Sequence, residues 1–388
     1  MLKRTIESLR HLLPLCIVAC AAVAASAADV TYTWQAVDGD WDGNATDRAH
    51  WACSSEDRLD YPQNNSCKAV VPQNVRARIT IDVSHVSGKW ELLAGSHVTF
   101  TSLSVGDGDE MAHMQVNSLV TRAGSTFVLD HAKITDSYQI ALQAGVTGIV
   151  QNASWFYCSN GGFYINNSQS TAYFEVAGKS DINIGNIYIG GGNKFVIDDS
   201  TVTARARLAV GTDSNTIVSE SSSLFFKGAE PRLVFDDGPS NNGRYVQACG
   251  CNSKSDGDVL NIDFLVPEGG FASTPITIVE KDASQYLFGG PNDNTAGRYG
   301  KFRINILDES PAAFSPQTTE QNLIEWKTRK ALCTGGFYYD NIIEGNLPQK
   351  ASQKSFDSGL VSETTDIALY AYSVTLKGGQ KGMAIIVR

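Results

Sequence analysis

A repeat of about 22 residues in the middle of the chain constrains the fold most. In each unit, a short run of alternating apolar residues precedes a turn rich in Gly, Asn, Asp and Ser. The central apolar residues of three successive runs are Phe174, Phe195 and Ile217, which lie 21 and 22 residues apart. A unit this short cannot bury its own apolar face and must stack on its neighbours. The period therefore predicts an all-β solenoid, an architecture that is compatible with many functions.

The pattern inside the repeats indicates strands that turn at corners. In the segment 181–190, Ile182 and Ile184 fall on one face of a period-two alternation. Alternation that involves β-branched residues is typical of strands and not of helices. Gly185 and Asn186 then interrupt the period, as expected where a strand turns from one sheet to the next.

Composition divides the chain into four regions. Residues 1–27 read as a signal peptide, and residues 28–80 as a Trp-rich N-terminal cap. Residues 81–235 hold the clearest repeats, and residues 236–388 continue them with long polar loops and a terminal β-hairpin. A cap is expected because the first turn of a solenoid would otherwise expose an apolar end and open strand edges.

The N-terminus resembles an export signal. A basic start precedes an apolar run, Leu12 to Ala24, that is too short to span a bilayer, and small residues at 25–27 fit a cleavage site. The sequence therefore predicts a secreted, extracellular or cell-surface protein without a transmembrane segment in the mature chain. The alternative reading treats residues 17–20 as a lipobox, which would attach a lipid anchor at Cys20.

The charge balance excludes one class of partner. The chain has 31 Lys and Arg against 41 Asp and Glu, a formal net charge of -10. Nucleic-acid binding relies on clustered Lys and Arg side chains that neutralise phosphates. We therefore expect no nucleic-acid partner, and consider an extracellular polymer or another surface molecule instead.

The cysteines predict a disulfide. Cys53 and Cys67 flank a polar loop in a chain that is expected to be exported, where disulfides persist. Cys249 and Cys251 are separated by one residue, which does not fit a zinc knuckle. A structural disulfide between Cys53 and Cys67 is the prediction, and free thiols or a metal site are the alternatives.

One acidic segment resembles the start of a calcium loop. Asp38, Asp40 and Asp42 alternate before Gly43, and Asp47 follows. Alternating carboxylates can converge on one calcium ion, but alanine occupies the twelfth position, where the bidentate Glu would stand. The alternative is a polar turn, and no other cofactor is expected.

Two pairs of adjacent carboxylates are candidate catalytic groups. They are Asp198 with Asp199 and Asp236 with Asp237. Glycoside hydrolysis uses two carboxyl groups on either side of the scissile bond. Neighbours on a strand point to opposite faces, so each pair could act together only at a turn. The alternative is that these residues are solvated turn acids.

Aromatic clusters are candidate binding residues. Alternate rings of the clusters 155–157 and 337–339 must face outward if these segments are strands. The outward candidates are Trp155, Tyr157 and Tyr338, whose flat faces suit sugar rings or partner surfaces. The alternative is aromatic stacking within or over the solenoid.

Several motifs carry a resemblance to a known class. The N-terminal WQAVDGDWDGNATDRAHW precedes ARITIDV and LSVGDGD, and later repeats contain LAVGTD and GGNKFVI. These motifs resemble exported bacterial β-helix proteins of the autotransporter-passenger type, with pectin-lyase-like architecture. The resemblance implies a right-handed parallel β-helix. Together with the Trp-rich cap and the loop-rich C-terminal half, it leads us to expect a single-stranded right-handed parallel β-helix with an N-terminal cap and an irregular C-terminal β region. It implies a location outside the cytoplasm but no single activity.

The function that follows from these observations is a non-catalytic secreted or cell-surface one. Adhesion, a structural role, and carbohydrate or partner binding all fit a rigid stack of repeats. The alternative is a β-helix polysaccharide lyase or glycoside hydrolase.

Overall fold

A computed structural model describes most of the chain from Val30 onward. The described residues are 30–55, 59–105, 110–165, 172–189, 193–210, 222–235, 245–248, 259–265, 267, 271–273, 275–278, 301–308, 351–363 and 368–378. Some of the sequence predictions therefore lie outside the described residues: the signal peptide at 1–27 with Cys20, the carboxylates Asp236 and Asp237, Tyr338, Cys249 and Cys251.

The described chain is built from β-strands, with one 3-10 turn at Arg48–His50. In chain order the strands are β1 (Val30–Trp34), β2 (Gly43–Asn44), β3 (Trp51–Cys53), β4 (Cys67–Val71), β5 (Arg76–Ile81), β6 (His85–Val86), β7 (Lys89–Leu92), β8 (His97–Ser102), β9 (His113–Thr121), β10 (Thr126–Asp130), β11 (Lys133–Leu142), β12 (Thr147–Gln151), β13 (Trp155–Ile165), β14 (Tyr173–Val176), β15 (Asp181–Ile189), β16 (Lys194–Asp198), β17 (Thr201–Val210), β18 (Ser222–Lys227), β19 (Arg232–Phe235), β20 (Tyr245–Ala248), β21 (Val259–Leu265), β22 (Ile276–Ile278), β23 (Lys301–Asp308), β24 (Ala351–Glu363) and β25 (Ala368–Gly378). The prediction of an all-β protein is confirmed.

The strands form two sheets that the chain visits alternately. The 13-stranded sheet has the order β22-β19-β17-β15-β13-β11-β9-β7-β4-β1-β3, with β20 beside β17 and β6 beside β9. The 12-stranded sheet has the order β2-β5-β8-β10-β12-β14-β16-β18-β21-β23-β25-β24. From β7 to β18 each strand pairs in parallel with the strand two places along the chain. This parallel pairing is compatible with a β-solenoid.

The long strands of the 13-stranded sheet shift register in the middle. The pairing of β15 with β17 shifts between Ile184 and Asn186, on either side of Gly185. The prediction that the chain passes from one sheet to the other at Gly185 is wrong, because β15 continues through this residue within the same sheet. The two halves of β17 pair with different strands, β19 and β20.

Antiparallel pairing occurs at the ends of the described part of the chain. At the N-terminal end β1 pairs antiparallel with β3. At the C-terminal end β24 and β25 form an antiparallel hairpin, and β25 also pairs antiparallel with β23. The segment 383–388, predicted as the second strand of a terminal hairpin, lies outside the described residues.

The core lies between the two sheets and consists of rows of equivalent residues. In the 12-stranded sheet, Phe127, Gly148, Phe174 and Phe195 follow one another in register on the inward face. The rings of Phe174 and Phe195 stack with centroids 5.4 Å apart. Burial of a large apolar side chain contributes about 1.5–3 kcal/mol to the stability of the folded state. Each further residue in the row therefore adds to that stability.

Buried serines connect successive turns of the chain where it passes between the sheets. Ser154 Oγ accepts a hydrogen bond from the backbone N–H of Ala132 at 3.0 Å. In the same way Ser180 Oγ accepts from Ser154, and Ser200 Oγ accepts from Ser180, each at 3.1 Å. This ladder satisfies backbone donors that would otherwise be buried without partners.

The Trp-rich N-terminal segment continues the core. The rings of Trp34 and Trp51 meet edge to face at 4.9 Å, those of Trp51 and Trp90 at 5.6 Å, and those of Trp90 and Phe100 at 5.2 Å. The indole N–H groups of Trp34 and Trp51 donate to backbone carbonyls at 2.8 and 2.9 Å. The tryptophans therefore close the inner space without burying an unpaired donor.

The disulfide predicted between Cys53 and Cys67 is not formed. Cys53 lies opposite Tyr32 on one side of β1, and Cys67 lies opposite Val30 on the other side. Two strand spacings, roughly 10 Å, therefore separate the strands that carry the two cysteines, and a disulfide tolerates Cα atoms no more than about 7 Å apart. Cys67 Sγ instead donates to Asn64 Oδ1 at 3.1 Å.

Candidate functional site

Three neighbouring strands of the 13-stranded sheet place His113, Lys133 and Trp155 in one outward row. Lys133 lies opposite His113 of β9 on one side and opposite Trp155 of β13 on the other. The next residue of each strand points inward and is buried, as the pleat requires. The three outward side chains are half-buried and reach solvent.

Trp155 and Tyr157 form an aromatic pair on this face. They are two residues apart on β13 and therefore point to the same side of the sheet. Their rings stack with centroids 5.8 Å apart and planes 7° apart. Both rings therefore lie on the outward side of the sheet, as the alternation predicts.

A cation lies against each ring of the pair. Lys133 Nζ is 5.7 Å from the Trp155 ring centroid, and Arg205 Cζ is 4.9 Å from the Tyr157 ring centroid. Arg205 also donates to the Tyr157 hydroxyl at 3.0 Å and to the backbone carbonyl of Cys158. Contacts of this kind attract the cation to the ring and hold it in place. We call His113, Lys133, Trp155, Tyr157 and Arg205 the aromatic–cation face.

His113 forms the other border of the face. Its Nε2 is 2.6 Å from Thr135 Oγ1, and its ring meets the edge of Trp155 at a centroid distance of 6.3 Å. Burial lowers the pKa of His113 below 6.5, and the positive charges of Lys133 and His85 lower it further. The ring is therefore neutral at neutral pH and acts as a polar neighbour of the aromatic pair.

The catalytic candidate Asp198 lies on the outward side of the other sheet, in an ion-paired cluster. Lys227 Nζ is 3.1 Å from Asp198 Oδ2 and 2.9 Å from Glu175 Oε1, and Tyr173 donates to Glu175 Oε2 at 2.7 Å. Burial raises the pKa of Glu175, but the hydrogen bonds from Lys227 and Tyr173 outweigh it and hold the pKa below its usual value. Glu175 is therefore ionised, which does not suit a general acid.

Asp198 and Asp199 meet at the turn that follows β16. Their Oδ1 atoms lie 2.7 and 2.6 Å from the position that a Cβ on Gly228 would occupy. Asp199 adopts a left-handed conformation with φ 46° and accepts the backbone N–H of Glu230 at 2.7 Å. Asp198 is held by Lys227 and Asp199 by the turn, so both carboxylates have partners within the fold.

The predicted calcium residues accept hydrogen bonds from three separate backbone groups. Asp40 accepts from the N–H of Asp42 at 3.0 Å, Asp42 accepts from Arg78 of β5 at 2.6 Å, and Asp47 accepts from an N–H of the 3-10 turn at 2.9 Å. Asp38, just before Asp40, adopts a left-handed conformation with φ 53°. Within the part of the chain that the structure describes, no group of three His, Cys, Asp or Glu side chains could hold a metal ion.

Sequence reasoning found the rings of the face but missed their cationic neighbours. Arg205 lies 48 residues from Tyr157, and Lys133 lies 22 residues from Trp155. The alternation of TVTARARLAV predicts that Arg205 faces outward, but the register between turns decides which ring it meets. Lys133 and Trp155 lie one repeat length apart in the sequence, and this spacing is the signal from which their contact could be predicted.

Among the residues described, no helix has the length and apolar character needed to cross a membrane. The chain matches no protein-family model, and it matches neither a curated protein nor a solved structure.

Proposed function

We propose that this chain is a secreted, right-handed β-solenoid protein that binds a carbohydrate polymer, without catalysis, through its aromatic–cation face. The observation that carries the proposal is the stacked pair of Trp155 and Tyr157 held between Lys133 and Arg205. Flat aromatic surfaces with polar neighbours are typical of sites that bind amphipathic ring systems.

The solenoid part of the proposal rests on strand pairing. From β7 to β18, successive strands alternate between two sheets and pair in parallel with the strand two places along the chain. Connections between parallel strands of one sheet are right-handed in nearly all proteins. The signal-like N-terminus supports export.

Binding through this face requires little rearrangement. Both rings stand on one strand, and Arg205 is fixed by its hydrogen bonds to the Tyr157 hydroxyl and the Cys158 carbonyl. Ordering a side chain on binding costs about 0.5–1.5 kcal/mol, and side chains that are already ordered avoid much of that cost. A sugar ring that stacks on the pair would also meet hydrogen-bonding groups at its edge.

Substitution of Trp155 tests the proposal on a glycan array and by titration with the best glycan. W155A should weaken the Kd roughly ten-fold, the equivalent of about 1.4 kcal/mol, whereas W155F should retain most of the affinity because it keeps a flat ring. Y173A removes a half-buried outward ring on the other sheet and should leave the affinity unchanged. Failure of the mature protein to bind any glycan, or equal affinities of W155A and the unaltered protein, would refute the proposal.

A further inference from the structure

We infer that the carbohydrate bound by the aromatic–cation face is uncharged, and that Asp181 supplies the hydrogen-bond acceptor that selects it. The inference rests on the proposed function and specifies the chemical class of its ligand. Its basis is the register of the sheet, which places charges of opposite sign on the two sides of Trp155 and a row of neutral polar side chains beside them.

Trp155 lies between a cation and an anion on the outward side of the 13-stranded sheet. In register, Lys133 of β11 precedes Trp155, and Asp181 of β15 follows it. Lys133 Nζ is 5.7 Å from the Trp155 ring centroid, and Asp181 is exposed to solvent. Two strand spacings, roughly 10 Å, separate the backbones of the two charged residues. A ring that stacks on Trp155 therefore has a hydrogen-bond donor at one edge and an acceptor at the other.

A row of uncharged hydrogen-bonding side chains runs beside these three residues. Each member lies two residues further along its strand and therefore on the same side of the sheet. The members of this neutral row, in register, are Gln115, Thr135, Tyr157, Asn183 and Thr203. Hydroxyl and amide groups donate and accept hydrogen bonds without carrying a charge. The surface next to Trp155 therefore matches a ligand that is rich in hydroxyl groups.

The charges of the outward row alternate in sign, which disfavours a polymer of one sign. Beyond Asp181, the row continues in register with Thr201 and then Arg232. A polymer with the same charge on every sugar would meet a like charge wherever it lay along Lys133, Asp181 and Arg232, and like charges repel. The net charge of the chain, -10, adds to the repulsion of a polyanion.

An uncharged sugar meets both charges beside Trp155 without repulsion. Its hydroxyl oxygens accept hydrogen bonds from the Lys133 ammonium, and its hydroxyl hydrogens are donated to the Asp181 carboxylate. Hydrogen bonds with one charged partner are about twice as strong as those between neutral groups. Asp181 therefore discriminates between ligands, because it stabilises a hydroxyl group at that edge of the sugar and repels a carboxylate or a sulfate.

Two hexasaccharides, each in three forms, test the inference by titration calorimetry. Cellohexaose and maltohexaose are used unmodified, with their primary alcohols oxidised to carboxylates, and with those alcohols replaced by amines. We expect the unmodified form of at least one of them to bind about ten-fold more tightly than both of its charged forms, with an affinity that is nearly independent of salt. A charged form that binds as tightly as the unmodified sugar, or no binding of either unmodified sugar, would overturn the inference.

Asp181 and Asp60 provide a matched pair of acids for substitution. Asp60 is exposed and lies 3.3 Å from Arg48, in the loop between β3 and β4. D181N should weaken binding of the unmodified sugar about five-fold or more. It should also bring the affinity for the carboxylate form closer to that for the unmodified sugar, because the repelling charge is gone. D60N should change neither affinity.

A purely structural role of Asp181 would lower both affinities by the same factor. That result, or equal effects of D181N and D60N, would overturn the role of Asp181 in selecting the ligand.

The glycan array that tests the proposed function separates its failure from the failure of this inference. If charged glycans bind and W155A weakens their binding, while no uncharged glycan binds, the proposed function stands and the uncharged specificity is wrong. If no glycan on the array binds, both proposals fail.

Discussion

At the scale of single residues, three histidines share an environment that disfavours their charged form. Burial lowers the pKa of His85, His97 and His113 below 6.5. Neighbouring positive charges add to the effect at two of them, Arg76 at His97 and Lys133 at His113. The folded protein therefore resists protonation of these rings.

This environment predicts a loss of stability on acidification. The unfolded chain takes up protons near pH 6.5, whereas the folded state does so only at lower pH. The stability that these neutral histidines allow is fully present above pH 6.5. It is lost as the pH falls from 6.5 through the lowered pKa values of the folded state. The thermal midpoint should therefore be lower at about pH 5.5 than at about pH 7.5.

The variant H113Q should reduce that difference, because one of the three groups no longer titrates. A midpoint that rises on acidification through this range would contradict the assignment. Glu91 and Glu175 have pKa values below 4.5, so their contribution to stability is lost only at more acidic pH. It therefore does not alter the difference between pH 5.5 and pH 7.5.

At the scale of the strand, β12 shows how a small residue permits the packing of its neighbours. Gly148 occupies the inward row between Phe127 and Phe174, at a position that other strands fill with large apolar side chains. A Cβ at Gly148 would lie 2.5 Å from Phe174 Cδ2 and 3.3 Å from Leu142 Cδ1. The missing side chain therefore makes room for the Phe174 ring.

G148A should destabilise the protein by about 1–3 kcal/mol, because a methyl group is forced into a filled core. F174A removes the ring atoms that the new Cβ would meet, so the double variant should lose less stability than the sum of the two single changes. Denaturant unfolding of the unaltered protein, the two single variants and the double variant gives the coupling energy between residues 148 and 174. Additive effects would mean that Phe174 is not the group that limits space at residue 148.

At the scale of the whole molecule, each added repeat lengthens the two sheets. Each turn pairs with the turn before and the turn after, and the rows of buried residues run in the same direction. Stability in such arrays comes from contacts between neighbouring units. The outward rows, including the aromatic–cation face, run in this direction as well.

The proposed solenoid predicts an elongated particle in solution. A compact protein of this length would have a radius of gyration of about 21 Å. Small-angle X-ray scattering of the mature chain should give a clearly larger value and a distance distribution with a long tail. A value at the compact limit, from a monodisperse sample, would contradict the solenoid.

The sequence by itself determined the strands and the sides to which their residues point. Period-two alternation marks which side chains are buried, because successive residues of a strand face opposite sides of a sheet. The alternation thereby predicts Trp155 and Tyr157 as outward rings, whereas it does not reveal that β15 continues through Gly185 in one sheet. These features depend on residues that are close together in the chain.

Only the tertiary structure decided which distant residues meet. The register between turns brings Arg205 to Tyr157 and Lys133 to Trp155, and the insertion of β1 between β3 and β4 keeps Cys53 from Cys67. Loops of unequal length separate the strands. The number of residues between two positions in the chain therefore does not reveal whether their strands are neighbours. Side-chain contacts across strands depend on that register, and it is fixed by the packing of the whole core.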